Sequence, residues 1–275
     1  MNEIIKTVIS QNIHGFPNII KAKKNLQRFL ISVKKYDADI IFLQEVFRVN
    51  WLEYCEVELI NYVPLYKENT LFISGGLVIL VKKSIYSDLV NKGYHFILEY
   101  NNYTKQGVIG SKQLISHISK KGYLHLNVSS DITNFNLINT HTTSSFNNKN
   151  KNFNRKVSIL LNQIYELKEY ISTRDLTADN LPANITSPLQ NNNSKNYIIA
   201  GDFNYDIHKL KIFNNEFKIY PQNFRITYPK NKSRIDFILT SGFSLSNEGI
   251  VPTAKLKISD HNGVMIKKLA KQNKA

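Results

Sequence analysis

The chain has 275 residues, 42% of them hydrophobic, enough for one large core, so a single domain is the default organisation. Its 36 basic residues against 21 acidic ones give a formal charge of +15, which favours polyanionic partners such as nucleic acid, anionic lipid surfaces or phosphorylated small molecules. A composition rich in Lys, Asn and Ile produces the same excess without functional meaning, and the lone Cys55 excludes both an internal disulfide and a thiolate metal site.

In chain order, a β-forming run predicts a strand over 4–13. It has no basic start followed by a long apolar stretch, so no cleaved secretory signal is expected. Ile20, Leu26, Leu30 and Val33 lie at helical spacing and predict a helix over 19–36. Short β-branched or aromatic runs then predict strands over 40–43, 76–81, 123–128 and 135–140. A second helix over 154–171 follows from the spacing of Val157, Leu160, Leu161, Ile164, Leu167 and Ile171. Periodicity is lost over 172–195, where Thr, Asn, Pro and Ser dominate, and this reads as a surface insertion. Strands are predicted again over 197–200, 237–239 and 263–266, and 267–275 is a basic tail. Helices falling between strands indicate a mixed α/β fold. The longest apolar run is far too short to span a bilayer. A monomer is expected, cytoplasmic or exported without a cleaved signal peptide, with any membrane contact peripheral.

Several acidic and amide residues fall at strand ends. Glu45 follows the 40–43 run, Asp202 and Asn204 follow Tyr197 to Gly201, and Asp260 and His261 precede the last strand. Each by itself is an ordinary turn residue. Together they form an inventory for phosphodiester hydrolysis, which needs a hard cation, an oriented water and donors for non-bridging oxygens. Glu45, Asp202 and Asp260 supply oxygen ligands or bases, Asn12 and Asn204 supply amides, and His141 and His261 supply imidazoles. Carboxylate and amide donors favour Mg²⁺, with Mn²⁺ as the alternative, over zinc.

Six segments in order carry a resemblance: Gln11-Asn12-Ile13, Leu43-Gln44-Glu45-Val46, Asn139-Thr140-His141-Thr142, Gly201-Asp202-Phe203-Asn204, Arg234-Ile235-Asp236-Phe237 and Ser259-Asp260-His261. The chain resembles the endonuclease/exonuclease/phosphatase superfamily, and each motif is weak alone while six in register are specific. The resemblance implies a four-layer α/β sandwich of two packed mixed β-sheets flanked by helices, with the site at one edge. It also implies roles. Glu45 is the principal Mg²⁺ ligand, with Asn12 beside metal and scissile phosphate. Asp202 orients or deprotonates the attacking water, and Asn204 holds a phosphate oxygen. Asp236 pairs with His261, Asp260 completes a second metal position or supports that histidine, and His141 donates to the phosphate or protonates the leaving oxygen. His14, His95, His117, His125 and His208 have no motif around them and read as solvated or satisfied in the core. His14 stands where the abasic-site endonuclease branch typically has an acidic residue, which argues against that branch.

Within the superfamily the layout is most similar to neutral sphingomyelinase-type phosphodiesterases, through Leu43-Gln44-Glu45-Val46-Phe47, Ser74-Gly75-Gly76-Leu77-Val78-Ile79-Leu80, Lys121-Gly122-Tyr123-Leu124 and Asn162-Gln163-Ile164-Tyr165-Glu166-Leu167. This likeness implies cleavage of a phospholipid headgroup. The departure is that 241–258 contains Phe243 as its only aromatic, so the membrane-dipping aromatic hairpin of secreted bacterial members is not evident. The aromatic and basic stretch 213–228 is either core or a lipid or nucleic-acid surface. A deoxyribonuclease-like endonuclease is the rival reading, followed by a phosphoinositide phosphatase. A non-catalytic binding module would require a damaged site.

Overall fold

The computed structural model describes residues 4–15, 19–69, 72–104, 121–131, 133–144, 153–177, 196–223, 225–243 and 247–268. Its first sheet contains β1 (Thr7–Asn12), β2 (Ile40–Gln44), β3 (Tyr62–Leu65), β6 (Val78–Lys82), β13 (Asn247–Val251) and β14 (Gly263–Lys267) in the order β13-β14-β1-β2-β6-β3. Its second contains β7 (His95–Asn102), β8 (Gly122–Ser129), β9 (Asn134–His141), β10 (Tyr197–Asp202), β11 (Lys218–Tyr220) and β12 (Asp236–Ser241) in the order β11-β12-β10-β9-β8-β7. A small ribbon pairs β4 (Glu68–Asn69) with β5 (Phe72–Ile73). The helices are α1 (Ile19–Val33), α2 (Val49–Tyr54), α3 (Lys83–Asn91) and α4 (Phe153–Thr177).

Near the middle of each sheet lies one parallel pair, β1 with β2 and β9 with β10, while the other pairings within the two sheets are antiparallel. These strands are apolar on both sides because both sheet faces are covered. In β1 and β2, Val8, Ile40 and Phe42 point to the partner sheet, and Ile9, Ile41 and Leu43 point to Leu26, Phe29, Leu30 and Val33 of α1. In β10 and β12, Ile198, Ala200 and Ile238 face inward, and Ile199 and Leu239 pack with Leu160, Ile164, Leu167 and Ile171 of α4. The period of two along the strands and of 3.6 along the helices thus yields a helix-sheet-sheet-helix sandwich.

The central apolar layer contains a polar tie. Asn139 donates through Nδ2 to the carbonyls of Leu43 (2.8 Å) and Val78 (2.9 Å), and its Oδ1 accepts from Gln44 Nε2 at 2.8 Å. It is fully buried and fastens β9 of one sheet to β2 and β6 of the other, beside the ends that carry Glu45 and His141.

Four edge or near-edge strands, β3, β7, β11 and β13, lie outside the runs that the sequence marks. The observed β1 is shorter than the predicted 4–13, and α1 ends at Val33, followed by a 3₁₀ turn over Lys34–Tyr36. The helix predicted over 154–171 continues to Thr177, so residues 172–177 are helical rather than part of an insertion, and 178–195 lies outside the described residues. Of the basic tail, Lys267 belongs to β14 and 269–275 lies outside the described residues. Phe213, Phe217 and Tyr220 of the aromatic stretch are buried, as is Phe243, so these rings are core and not surface. Among the described residues no helix is long and apolar enough to cross a membrane.

Candidate active site

The carboxyl ends of the two parallel pairs lie together. Register places Asn12 beside Gln44, and His141 beside Asp202. The antiparallel β12 brings its first residue, Asp236, opposite Asp202, and the turn before β14 delivers Asp260 and His261. Ligands collect at the carboxyl ends of strands because the chain there leaves the sheet and exposes side chains to a common cleft.

Three residues at these ends, His14 (φ 55°), Glu45 (φ 66°) and Asn204 (φ 48°), adopt left-handed backbone conformations. Such conformations cost free energy and persist where the surroundings impose them. For Glu45 the surroundings are glycines. A Cβ on Gly15 would fall 1.9 Å from the Glu45 carbonyl oxygen, and one on Gly76 would fall 3.1 Å from Glu45 Cα and 2.7 Å from the Phe47 ring. The Val46 N–H donates to the Gly76 carbonyl at 2.9 Å. Gly15 and Gly76, the latter part of the stretch behind the sphingomyelinase likeness, therefore act here as a seat for Glu45.

The network centres on Asp202. Its Oδ2 accepts from Asn12 Nδ2 (3.1 Å) and lies 3.5 Å from His141 Nε2 and 3.8 Å from His261 Nε2, while Oδ1 accepts the Asn204 N–H at 2.8 Å. Asn12 Nδ2 also donates to Glu45 Oε1 at 3.2 Å, and that oxygen is 3.8 Å from His141 Nε2. His261 Nδ1 meets both Asp236 oxygens, at 2.9 and 3.0 Å. The Asn204 amide donates to the Thr142 carbonyl at 3.0 Å, holding the turn after β10 closed. Ser259 fixes the His261 segment by donating through Oγ to the Asn12 carbonyl (2.7 Å) and accepting the His261 N–H (3.1 Å).

Charge follows from this packing. Burial, then the neighbouring Asp236, raises the Asp202 carboxyl to about 7. For His261 burial acts downward, but Asp236 and Asp202 outweigh it and raise the imidazole to about 10. Burial, reinforced by Lys121 and His261, holds His141 well below the ordinary imidazole value. At neutral pH one histidine is therefore cationic and the other neutral.

A divalent cation fits these donors. Glu45 and Asp202 are brought within hydrogen-bond reach of one amide, Asn12 Nδ2, so two carboxylates share a narrow space with a single neutral donor between them. Asp202, Asp236 and His261 also present ligand-type atoms within 4.8 Å of one another, but Asp236 and the His261 Nδ1 already satisfy each other. Glu45 is the residue that would hold the ion, with a hard oxygen donor suited to it, and Asp202 stands beside it on the other side of the Asn12 amide.

The structure brings Asn12, Glu45, His141, Asp202, Asn204, Asp236 and His261 into this network and places Asp260 at its edge. The Asn12 amide oxygen accepts the His14 N–H at 2.8 Å, which fixes the amide so that nitrogen, not oxygen, faces the carboxylates. Asp260 Oδ1 lies 3.0 Å from His14 Nδ1 and 3.9 Å from His261 Nε2. His14, set aside on sequence grounds, thus belongs to the site, and Asp260 raises its imidazole above the ordinary value against the effect of burial. Lys121 was visible only as part of a motif. Its ammonium is buried, 2.7 and 2.9 Å from the two ring nitrogens of His141, and burial lowers its pKa. Tyr228 enters the sequence reading only as the end of the aromatic stretch 213–228, and its ring centroid lies 4.7 Å from that of His261. His125 and His208 are satisfied structurally, by Tyr170 and Asn136 and by the Pro221 carbonyl, and His95 is exposed. His117 lies outside the described residues.

Solved structures share this architecture at low identity. Truncated Caenorhabditis elegans TDP2 is 15% identical with a TM-score of 0.65, over 96% of this chain and 98% of that one. Danio rerio TDP2 complexed with a single-strand DNA product is 17% identical with a TM-score of 0.59, over 95% and 97%. Sphingomyelinase C from Streptomyces griseocarneus is 15% identical with a TM-score of 0.59, over 96% and 99%. At these identities the likeness shows the fold alone. No curated protein sequence matches the chain. The sequence profile of the Endonuclease/Exonuclease/phosphatase family matches residues 9–261, from β1 to His261. The chain belongs to the Endonuclease/Exonuclease/phosphatase family and is a metal-dependent phosphoric ester hydrolase.

Proposed function

We propose that the chain is a Mg²⁺-dependent phosphodiesterase acting on phospholipid headgroups, a sphingomyelinase-like phospholipase C. The observation that carries the hydrolytic reading is the convergence on Asp202 of Asn12, His141 and His261, drawn from three remote segments, beside its own neighbour Asn204. Bound Mg²⁺ supplies Lewis-acid stabilisation of the charge that develops on the phosphoryl oxygens. Asp202, raised to about 7, is matched to accept a proton from an attacking water near neutral pH. His261, kept cationic by Asp236, is the group that holds a proton for the departing oxygen. His141 is neutral and serves as a hydrogen-bonding group toward the phosphate, so the leaving-group role moves from His141 to its partner. Water adds to phosphorus, the bond to the lipid alcohol breaks, and that alcohol leaves with the His261 proton.

Support for the lipid substrate comes from the sphingomyelinase-type layout of 43–47, 74–80 and 121–124, two of whose segments deliver Glu45 and Lys121 to the site. A nucleic-acid phosphodiester is the second reading, favoured by the charge of +15. The test offers sphingomyelin vesicles and supercoiled plasmid side by side with Mg²⁺, to wild type and to Glu45→Ala. Phosphocholine release that the variant and a chelator both abolish supports the lipid reading. Plasmid nicking without lipid turnover transfers the assignment to the nucleases.

A further inference from the structure

Two loops border the site on its His261 side. One runs over 225–235 and leads into Asp236, its root closed by Thr227 Oγ1, which accepts the N–H groups of Ile235 (2.9 Å) and Asp236 (3.1 Å). The other runs over 252–258 and leads into His261. Asn262 joins them: its N–H donates to the Thr227 carbonyl (2.7 Å), its Nδ2 to the Ile226 carbonyl (3.3 Å), and its Oδ1 accepts the Ala254 N–H (3.2 Å). Arg28 of α1 braces the second loop by donating to the carbonyls of Leu256 (3.0 Å) and Lys257 (3.3 Å). The two loops form one supported rim.

The chemistry of that rim is uneven. Neither 225–235 nor 252–259 contains an acidic residue. Lys230, Lys232, Lys255 and Lys257 are exposed, and among them Ile226 and Leu256 are 37% and 47% exposed. Lys232 (φ 50°) and Lys257 (φ 55°) occupy left-handed positions at the turn tips, where Gly or Asn is cheaper.

We propose that this rim, Ile226 and Leu256 set among Lys230, Lys232, Lys255 and Lys257, is a docking surface for an anionic phospholipid membrane. Resting on the lipid reading above, it would seat the site against the bilayer that contains its substrate. Lysines near an anionic surface contribute electrostatic attraction, and aliphatic side chains enter the headgroup boundary. A single-stranded nucleic acid would instead be met by exposed aromatic platforms. The described part of the rim offers aliphatic tips and one tyrosine, Tyr228, half-buried against His261.

The experiment is co-sedimentation of the full chain with phosphatidylcholine vesicles, with and without phosphatidylserine, beside hydrolysis of a soluble short-chain sphingomyelin. The variants are Lys232→Asn/Lys257→Asn, which suits the left-handed backbone and preserves folding, and Ile226→Ser/Leu256→Ser. Wild type is expected to bind the phosphatidylserine vesicles. The lysine pair is expected to weaken that binding about 25-fold, roughly fivefold per lysine, the aliphatic pair to weaken it on both lipids, and both to leave soluble turnover unchanged. Wild type that ignores phosphatidylserine, or variants that bind as wild type does, would overturn the docking surface. Absence of soluble sphingomyelin turnover in wild type would instead remove the lipid reading, independently of the vesicle result.

Discussion

Asn139→Ala separates the two sheets chemically without touching any side chain of the catalytic network. Wild-type Asn139 makes three buried hydrogen bonds, to the carbonyls of Leu43 and Val78 and from Gln44 Nε2. Alanine removes all three partners at once, and Gln44 is fully buried and already has an unsatisfied Oε1. At about 1–3 kcal/mol for each buried group left unsatisfied, with partial relaxation, the loss is about 3–6 kcal/mol. That is a large part of the roughly 5–15 kcal/mol that holds a domain folded. Urea unfolding followed by fluorescence of the buried Trp51 reads the change as a lower midpoint at unchanged slope. Because Asn139 stands two residues before His141 and Gln44 stands next to Glu45, activity of the folded fraction should fall too. A loss below about 1 kcal/mol would refute the reasoning, since it would mean that the carbonyls find other donors or water.

Gly15→Ala should impair Mg²⁺ binding by isothermal titration more than it lowers the melting temperature, because its Cβ would meet the Glu45 carbonyl at 1.9 Å; ion affinity equal to wild type would contradict this seat. Asp236→Ala leaves His261 without its main counter-charge, at a cost of about 3–5 kcal/mol for breaking a buried pair. The sign of its pH dependence follows from a folded-state value raised to about 10 over the usual 6.5: the pair's contribution is complete below pH 6.5 and is lost as pH rises through about 10. Wild type and Asp236→Ala should therefore differ most in urea midpoint near pH 6 and converge toward pH 10; a gap that widens with pH would contradict it. Cys55 is fully buried, and burial together with Glu58 pushes its thiol up to about 12. Native protein at pH 8 should resist iodoacetamide and react only as urea unfolds it; prompt labelling without denaturant would show that α2 and the turn after it open locally.

The parts of the fold legible in the sequence are the central strands and the two long helices, since residues such as Ile40, Ile41, Phe42 and Leu43 are buried on both faces and leave an unbroken apolar run. Edge strands leave no such trace. β7 is partly exposed along its whole length, β13 reads Asn-Glu-Gly-Ile-Val, and β3 includes Pro64, so their pairing depends on neighbours that no local window contains. The site shows the same division. Asp202, Asp236 and His261 stand in short motifs next to apolar strands and could be read in order. His14 could not, because its place is set by a partner 246 positions away, Asp260, and a lone histidine after a strand has no signature. Lys121 was hidden for another reason: nothing in Lys121-Gly122 says that the ammonium is buried against His141 rather than solvated. A Cβ on Gly122 would lie 2.2 Å from the Asn101 carbonyl, so this dipeptide serves close strand packing and the site at once.

The most direct test of the account is hydrolysis of bis-p-nitrophenyl phosphate by wild type and by Asp202→Asn, with Mg²⁺ and with chelator. The account predicts turnover by wild type that vanishes in chelator and falls in Asp202→Asn by about 10²–10⁴, the range for losing a positioned general base, while the urea midpoint of the variant stays at or above that of wild type. Turnover that persists in chelator, or an Asp202→Asn protein as active as wild type, would contradict it.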